Sequence, residues 1–289
     1  MSGTSVKTIG ILTKPQSDNI RPVLKDIVEW LNTHDKNVIL DTPTTIELRT
    51  NTRNAQRTQI ANEADLLIVL GGDGTMLHAA RLVEKRSVPI LGVNMGGLGF
   101  LTETTVDHIY DSLTKIFADD FLIEKRVMLR AKIHRGQHVI GESSALNDVV
   151  VNKGHLARMI AIKVCINGSF MTNLRGDGLI IATPTGSTGY SLSANGPILD
   201  PSLDVFTLNP ICPHTLSHRP FIVPSHASIS VTLTSQENAM ATLDGQIGFE
   251  LTEDDTIHIY TSEHQAHLIR FPGRSYYDVL RNKLKWGDG

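Results

Sequence analysis

A glycine-rich turn that carries a single carboxylate is the stretch of this sequence best suited to chemistry. Glycines surround Asp73 in the run Gly-Gly-Asp-Gly at residues 71–74, directly after the apolar segment 66–70. Glycines permit a sharp turn, and the helical pattern that follows places free N–H groups at a helix N-terminus, where phosphate binds well. A carboxylate at such an anion site is unfavourable unless it binds a metal or handles a proton. The turn therefore predicts a phosphate site with a chemical role for Asp73, the alternative being that Asp73 only caps the helix.

A second glycine cluster, residues 94–100, follows the next predicted strand. Ligands in open α/β sheets bind at the carboxyl ends of strands, so two such turns at neighbouring strands favour a ligand site. Tight turns without a ligand are the alternative.

Two polar segments further along the chain suit a nucleotide. Asn147 and Asp148 stand at the edge of an apolar strand, where an amide and a carboxylate bind ribose hydroxyls or an amide-bearing ring, or simply form a turn. Residues 183–193, Thr-Pro-Thr-Gly-Ser-Thr-Gly-Tyr-Ser-Leu-Ser, are the longest concentrated run of small and polar residues. Hydroxyls and glycines permit close approach to phosphate or ribose, and Tyr190 can stack on a base. We interpret this run as a binding loop rather than a mere connection.

Common catalytic and metal motifs are missing from the sequence. It contains no P-loop, no GxGxxG after a strand, and no HExxH or CxxC pair. His264 and His267 have a metal-like spacing, but within a strand pattern they are more typical of a surface.

Composition excludes several classes of protein. The 289 residues are 40% hydrophobic and 20% charged with a net charge of −3, so the chain is a globular protein and nucleic acid is not expected as a partner. Its two cysteines indicate no disulfide framework, which fits the cytoplasm. We expect neither a signal peptide nor a membrane-spanning segment.

The elements that must position these residues fall into two patterns. Over residues 1–122 strands alternate with helices, which predicts a Rossmann-like domain with a parallel sheet wrapped on both faces. Its predicted strands are 6–12, 37–40, 66–70 and 88–93, and its predicted helices are 22–31, 52–62, 75–83 and 106–117. From 123 to 270 period-2 alternation dominates, which predicts an all-β domain of the sandwich type. Residues 271–289 return to helical spacing and are expected to pack on the first domain.

The order of these segments resembles that of the bacterial NAD kinases. The resemblance takes in the Gly-Gly-Asp-Gly turn and residues 94–102, 147–148, 175–178, 183–193, 196–198, 213–217 and 244–246, over nearly the whole chain. The turn alone is shared with lipid kinases and phosphofructokinases, whereas residues 183–193 are far more specific to NAD kinases.

The resemblance implies a reaction and an architecture. It implies transfer of the γ-phosphate of ATP to the 2′-hydroxyl of the adenosine ribose of NAD, giving NADP. A divalent cation, normally Mg²⁺, is required, and the dinucleotide is expected between a Rossmann-like domain and a β-sandwich. Family members form homodimers or homotetramers, so self-association is expected.

The resemblance also assigns roles to residues. Asp73 becomes the base that faces the 2′-hydroxyl, and no metal ligand is assigned. The family usually has Glu where Asp148 stands, so a shorter side chain makes that ribose contact here. The implied ATP phosphate contacts are Gly71, Gly72, Gly74 and Thr75. The implied NAD contacts are Gly74, His78, Asn147, Asp148, Arg158, Arg175, Asp177, Thr188, Gly189, Tyr190, Ser191, Ser193 and Gln246.

Two rival functions are compatible with parts of the sequence. One is a different kinase with the same glycine turn, acting on a lipid or a sugar, and residues 183–193 argue against it. The other is a non-catalytic sensor of NAD(P), and the intact Asp73 argues against that.

Overall fold

The protein is described by a computed structural model that covers residues 6–13, 20–41, 52–154, 158–215 and 217–286. The chain forms two compact units, Met1–Lys125 with Ala266–Gly289, and Arg126–Gln265. The first unit combines a mainly parallel sheet with helices and the second is built of antiparallel strands. The predicted α/β plus all-β class is therefore confirmed.

In the sheet of the first unit, both glycine turns lie at the carboxyl ends of neighbouring strands. Its described strands are β1 Thr8–Thr13, β2 Asn37–Asp41, β3 Thr52–Ala55, β4 Leu66–Leu70, β5 Ile90–Asn94, β6 Thr104–Thr105, β7 Leu122–Arg126 and β20 Ala266–Arg270. Their order is β3-β2-β1-β4-β5-β20-β7, with β6 beside β5. Because β4 and β5 are parallel neighbours, with Leu70 opposite Val93, the loops that follow them emerge side by side.

Helices cover both faces of this sheet. They are α1 Ile20–Thr33, α2 Arg57–Glu63, α3 Asp73–Val83 and α4 Ile109–Phe117. Ile9 and Ile11 of β1 belong to the apolar cluster that also contains α1 and α4. Gly10 lies between them and faces α2, since a Cβ on Gly10 would be 2.4 Å from Ile60 Cγ2. This alternation is that of a strand buried on both sides.

The structure differs from the prediction at three segments of the first sheet. A helix was predicted over 52–62, but Thr52–Ala55 is strand β3, which pairs with β2. This strand lies at the edge of the sheet and is polar, so it shows no alternation of apolar and polar residues that would predict a strand. Both ends of the predicted sandwich, 123–270, also lie in the first sheet: Ala266–Arg270 pairs with β5, with Leu268 opposite Ile90, and Leu122–Arg126 lies beside it in the sheet order.

Two six-stranded sheets, counted over the described residues, form the second unit. The strands are β8 Leu129–Arg135, β9 His138–Ala145, β10 Asp148–Lys153, β11 Ile160–Ile166, β12 Ser169–Gly176, β13 Gly178–Ala182, β14 Val205–Ile211, β15 Phe221–Pro224, β16 Ile229–Leu233, β17 Ala239–Leu243, β18 Ile247–Leu251 and β19 Thr256–Thr261. The sheet orders are β15-β14-β13-β10-β17-β18 and β12-β11-β16-β19-β8-β9. Inward side chains of both sheets make one buried core, so the predicted sandwich is confirmed. A short helix, α5 Tyr190–Ser193, follows β13.

The C-terminal helix α6, Tyr276–Leu284, belongs to the first unit as predicted. Ser275 and Asp278 form a capping box at its start. The segment before it is fixed by Glu103, whose Oε1 accepts the N–H of Phe271 at 2.9 Å and whose carbonyl accepts from Arg274 at 3.2 Å. Within the described ranges, every helix is too short or too polar to cross a membrane.

Candidate functional site

The glycine turn has the geometry of an uncapped helix N-terminus. Helix α3 begins at Asp73, and its N-cap is Gly72, whose lack of a side chain leaves the cap without a side-chain hydrogen bond. The turn is held on the sheet edge by the N–H of Gly71, which donates to Val93 O at 2.9 Å. Asp73 is therefore the first residue of the helix. The cap is Gly72, so the alternative that Asp73 only caps the helix does not apply.

Both carboxylate oxygens of Asp73 accept hydrogen bonds from the loop after β5. Oδ2 accepts the N–H of Phe100 and Oδ1 accepts the N–H of Leu101, each at 3.0 Å. The backbone of Gly99 approaches so closely that a Cβ there would be 2.2 Å from Asp73 Oδ1. A carboxylate has about four acceptor sites, so two remain for a ligand after these bonds. The side chain is thus held in one orientation before any substrate arrives.

Two glycines of the turn differ in whether the protein has room for a side chain at their position. A Cβ on Gly71 would be 2.4 Å from Thr75 Oγ1, whereas a Cβ on Gly72 would meet nothing within 4 Å. The protein itself therefore requires glycine at 71 but not at 72. Space beside the N-cap is what a bound phosphate group needs.

We expect Gly72→Ala to spare the fold and impair ATP use. The backbone of Gly72, with φ −94° and ψ −169°, suits alanine, so the free energy of unfolding should change by less than about 1 kcal/mol. A methyl group there would stand where the triphosphate approaches, so KM for ATP should rise at least about tenfold. Thermal unfolding and steady-state kinetics of Gly72→Ala, with Gly71→Ala as the destabilised comparison, measure this. An unchanged KM for ATP would place the phosphates elsewhere.

His78 lies on α3 and is paired with an arginine. Its Nε2 is 2.9 Å from Nη1 of Arg57, which also binds the buried Asp41 through Nε at 2.6 Å. A guanidinium only donates, so Nε2 is the acceptor and the ring is neutral. Burial, and then the charges of Arg57 and Arg81, lower the pKa of His78. Nδ1–H is the group that His78 offers to a ligand.

In the second unit, Asp244 holds the loop that carries Asn147 and Asp148. Its carboxylate accepts the N–H groups of Leu146 at 3.1 Å, of Asn147 at 2.7 Å and of Asp148 at 3.2 Å. Residues 244–246 form part of the family resemblance, but Asp244 was not predicted as a site residue. The Asp-Gly pair at 244–245 predicts only a turn. It does not indicate the three amides that Asp244 binds, which lie 96 to 98 residues earlier in the chain.

Asp148 is a buried carboxyl group beside the Asp244 carboxylate. Burial raises its pKa from 3.8 to about 7, and the charge of Asp244 adds to the shift. Asp148 is therefore half-protonated near neutral pH. Such a group donates a hydrogen bond to a ribose oxygen when protonated and accepts one from a ribose hydroxyl when ionised.

A pH-dependent stability follows from Asp148. Its folded pKa lies above its unfolded value, so the free energy of unfolding falls as pH rises from 3.8 to about 7 and then levels off. Asp148→Asn removes this fall. From pH 6 to pH 8 the variant should therefore gain roughly 1–2 kcal/mol relative to the wild type. Urea unfolding at both pH values measures it, and a difference independent of pH would show that Asp148 titrates normally.

The predicted binding loop lies directly against Asn147. Thr183 Oγ1 donates to Leu146 O at 2.6 Å, and the N–H of Thr183 donates to Asn147 O at 2.9 Å. A Cβ on Gly186 would be 2.1 Å from Asn147 O, so only glycine permits this packing. Asn147 Oδ1 is buried, and across the described residues no hydrogen-bond donor reaches it. A buried acceptor without a donor costs about 1–3 kcal/mol, and a ligand N–H or O–H would relieve that cost.

Within the loop, side chains differ in how accessible they are. Thr188 and Gly189 are half-buried, and Tyr190 and Ser193 are exposed, Tyr190 by 46%. Ser191 is fully buried, and its Oγ accepts from the side-chain amide of Asn209. Ser191 therefore supports the loop, and Asn209 is a supporting residue that the sequence did not reveal.

The remaining predicted NAD contacts also lie in the second unit. Arg158, Arg175 and Gln246 are exposed, and Arg158 follows residues 155–157, which lie outside the described ranges. Asp177 is half-buried and forms an ion pair with Lys153, with Nζ 2.8 Å from Oδ1.

No group of three or more His, Cys, Asp and Glu side chains in the described ranges is arranged to hold a metal ion.

Two known families of domain match this chain. Residues 9–121 match the ATP-NAD kinase N-terminal domain and residues 146–271 match the ATP-NAD kinase C-terminal domain. Together these matches cover most of the chain.

The similar proteins and solved structures are NAD kinases and an NADH kinase. The chain is 45% identical to the NAD kinase of Geotalea daltonii over 284 residues, 98% of this chain and 100% of that protein. It is 43% identical to the NAD kinase of Geobacter sulfurreducens over the same shares. The yeast NADH kinase complexed with NADH is similar with a TM-score of 0.91, 25% identity and coverage of 99% and 89%. The Archaeoglobus fulgidus NAD kinase in complex with ATP has a TM-score of 0.75, 27% identity and coverage of 96% and 98%.

Proposed function

This chain belongs to the ATP-NAD kinase family, and from that premise we infer how its residues transfer the γ-phosphate of ATP to NAD. The protein is an ATP-dependent NAD kinase, which phosphorylates the 2′-hydroxyl of the adenosine ribose and releases NADP. The observation that carries the mechanism is the Asp73 carboxylate, held by two backbone amides at the start of α3.

Asp73 is the residue that acts on the acceptor hydroxyl. Phosphoryl transfer depends on aligning the attacking oxygen with the phosphorus and on neutralising charge. A carboxylate that is already oriented and keeps free acceptor sites can hold the 2′-hydroxyl and take its proton as the bond to phosphorus forms. In a loose transition state the proton leaves late, so the orientation supplied by Phe100 and Leu101 contributes more than basicity.

The N-terminus of α3 binds the phosphates of ATP. Gly72, Gly74 and Thr75 surround that site and the helix dipole favours the negative charge, whereas Gly71 shapes the turn, because its N–H is donated to Val93 O. Mg²⁺ is usually bound through substrate phosphates and one or two carboxylates. We therefore assign it to the triphosphate, and Asp73 is the protein carboxylate that would hold it. When bound, the cation offsets the negative charge of the phosphoryl group.

NAD is bound by residues around the Asp244 loop. Asn147 Oδ1, buried and without a donor, accepts an N–H or O–H of the dinucleotide. Asp148 binds ribose hydroxyls, and the exposed Tyr190 and Ser193 add stacking and a hydroxyl. Less specific contacts are assigned to His78, Arg158, Arg175, Asp177, Thr188, Gly189 and Gln246. Ser191 acts only through the loop that it supports.

An acceptor assay tests this function. The protein should form NADP from NAD and Mg-ATP, and an NAD analogue without the 2′-hydroxyl of the adenosine ribose should bind without accepting phosphate. Diacylglycerol and fructose 6-phosphate, offered in the same assay, should remain unphosphorylated. Phosphate on the analogue, or on a lipid or sugar alone, would refute the assignment, and NADP binding without turnover would indicate a sensor.

We also propose that the protein is a homo-oligomer of the cytoplasm. Phe221 and Ile222 on the edge strand β15 are 48% and 45% exposed, and apolar side chains on a sheet edge favour self-association. Cys165 and Cys212 are free thiols, which suits a reducing compartment.

Light scattering tests the assembly. At micromolar concentration the mass should be at least twice the 31.7 kDa of one chain, because edge apolar area is buried by association. The substitution Phe221→Glu should shift the population toward the monomer. A fully active wild-type monomer would contradict the proposal.

A further inference from the structure

The amides that orient Asp73 are held in turn by two side chains to which the sequence assigned no role. We propose that Thr102 and Arg270 are positioning residues for phosphoryl transfer, because they fix the loop 99–101 whose N–H groups bind the Asp73 carboxylate. This inference rests on the catalytic role proposed for Asp73.

Thr102 fixes the beginning of the loop. Its side chain is 1% exposed, and its Oγ1 accepts the N–H of Gly99 in a buried hydrogen bond of 2.7 Å. Gly99 is the residue whose backbone touches Asp73, where a Cβ would be 2.2 Å from Oδ1. With so little clearance, a displacement of Gly99 moves the amides of Phe100 and Leu101 relative to the carboxylate. The next residue, Glu103, is anchored to the sheet by its N–H, which donates to Gly92 O at 2.9 Å.

Arg270 holds the carbonyl side of the same loop. Its Nη1 lies 3.4 Å from Leu101 O and its Nη2 lies 3.5 Å from Phe100 O, both long contacts from a cation. The peptide that joins Phe100 to Leu101 thus donates its N–H to Asp73 and directs its C=O at the guanidinium. Hydrogen bonds in such a chain polarise one another, so the cation strengthens the N–H that Asp73 accepts.

Two glutamates keep Arg270 in that place. Nη1 lies 3.0 Å from Glu103 Oε2 and Nε lies 2.6 Å from Glu124 Oε2. Arg270 is 18% exposed and Glu103 is 5% exposed by side chain, so the position is largely shielded from water. A planar guanidinium that reaches two carboxylates and two carbonyls at once requires arginine, since lysine is a point charge.

The test separates positioning from stability by comparing substitutions of similar shape. Thr102→Val keeps the volume and removes the acceptor for Gly99, whereas Thr102→Ser keeps the hydroxyl. Arg270→Lys keeps the charge beside the glutamates and loses the fork. Arg135→Lys is the control, since that guanidinium likewise binds a carboxylate, Asp255 at 2.8 Å, and a carbonyl, Glu250 O at 3.2 Å, but belongs to the second unit and does not hold the loop 99–101.

We expect Thr102→Val and Arg270→Lys each to lower kcat about tenfold with KM for NAD and ATP within about twofold, because misplacing a reacting group affects the transition state. Thr102→Ser should restore kcat to within about twofold of the wild type, and Arg135→Lys should match the wild type. If Thr102→Val does not fold, Arg270→Lys decides the question. Folded variants with kcat within twofold of the wild type would overturn the proposal.

A cycle with Asp73→Asn distinguishes this inference from the proposed function. If the two residues act through Asp73, Thr102→Val should lower the residual rate of Asp73→Asn by less than about twofold. A full tenfold loss in that background would overturn the positioning role. High activity of Asp73→Asn alone would refute the catalytic role itself, and a crippled Asp73→Asn beside fully active Thr102→Val and Arg270→Lys would refute only the inference.

Discussion

Asp73→Asn is expected to lower kcat at least about 100-fold while the fold survives. Asn carries no charge and takes up no proton, and assistance by a general acid or base is typically worth about 10²–10⁴-fold. Asn also accepts hydrogen bonds at only one side-chain oxygen, so one of the amides of Phe100 and Leu101 loses its acceptor. The free energy of unfolding should therefore fall by about 1–3 kcal/mol, and NAD affinity should stay within a few-fold.

Asp65→Asn is the matched control for this experiment. Asp65 Oδ2 likewise accepts two successive amides, those of Lys7 at 3.0 Å and Thr8 at 2.8 Å. Asp65 precedes β4 and Asp73 follows it, so the two carboxylates lie at opposite ends of this strand. Because both amides bind the same oxygen, the Asn oxygen can keep both bonds, so the control removes the charge, should lose about 1 kcal/mol of stability and should keep its kcat.

Thermal unfolding and steady-state turnover of both variants decide the role of Asp73. Turnover of Asp73→Asn near the wild-type value would show that the carboxylate only holds the loop. Equal losses of kcat in the two variants would point to a general effect of stability. A folded Asp73→Asn with low kcat beside an active Asp65→Asn is the result we expect.

Asp244→Asn is expected to lower the free energy of unfolding by about 3 kcal/mol and weaken NAD binding at least about tenfold. The carboxylate accepts three backbone N–H groups, and an amide would place its own NH₂ against one of them. Hydrogen bonds to a charged group contribute about 1.5–3 kcal/mol each. A displaced loop moves Asn147 and Asp148 away from the dinucleotide. Loss of the Asp244 charge also lowers the pKa of Asp148 toward its ordinary value.

Asp254→Asn provides the comparison for that substitution. Asp244 and Asp254 both have positive φ, 52° and 69°, a conformation that Asn adopts as readily as Asp. Asp254 is exposed in a turn of the same unit. Calorimetry with NAD and urea unfolding should leave Asp254→Asn close to the wild type. Unaltered NAD affinity in a folded Asp244→Asn would separate the loop from the binding site.

Much of the fold was predictable because it follows local periodicity. The apolar run Leu66–Leu70 became strand β4 with the predicted bounds, and the glycines after it became a turn into α3. Such a run of buried residues between turn signals has few alternatives. At Thr52–Ala55 the same reasoning failed, since a polar edge strand is decided by pairing with β2 and not by its own pattern.

The sequence by itself determined the family, the two-unit architecture and the residue types of the site, because glycine turns and alternating strands act over short distances. Only the tertiary structure decided which groups hold those residues. Asp73 and its amide partners are 27 and 28 residues apart, and Asp244 reaches back 96 to 98 residues to the loop at Asn147. Contacts across such separations depend on how strands pair and which loops emerge together, and no local pattern in the chain encodes that pairing.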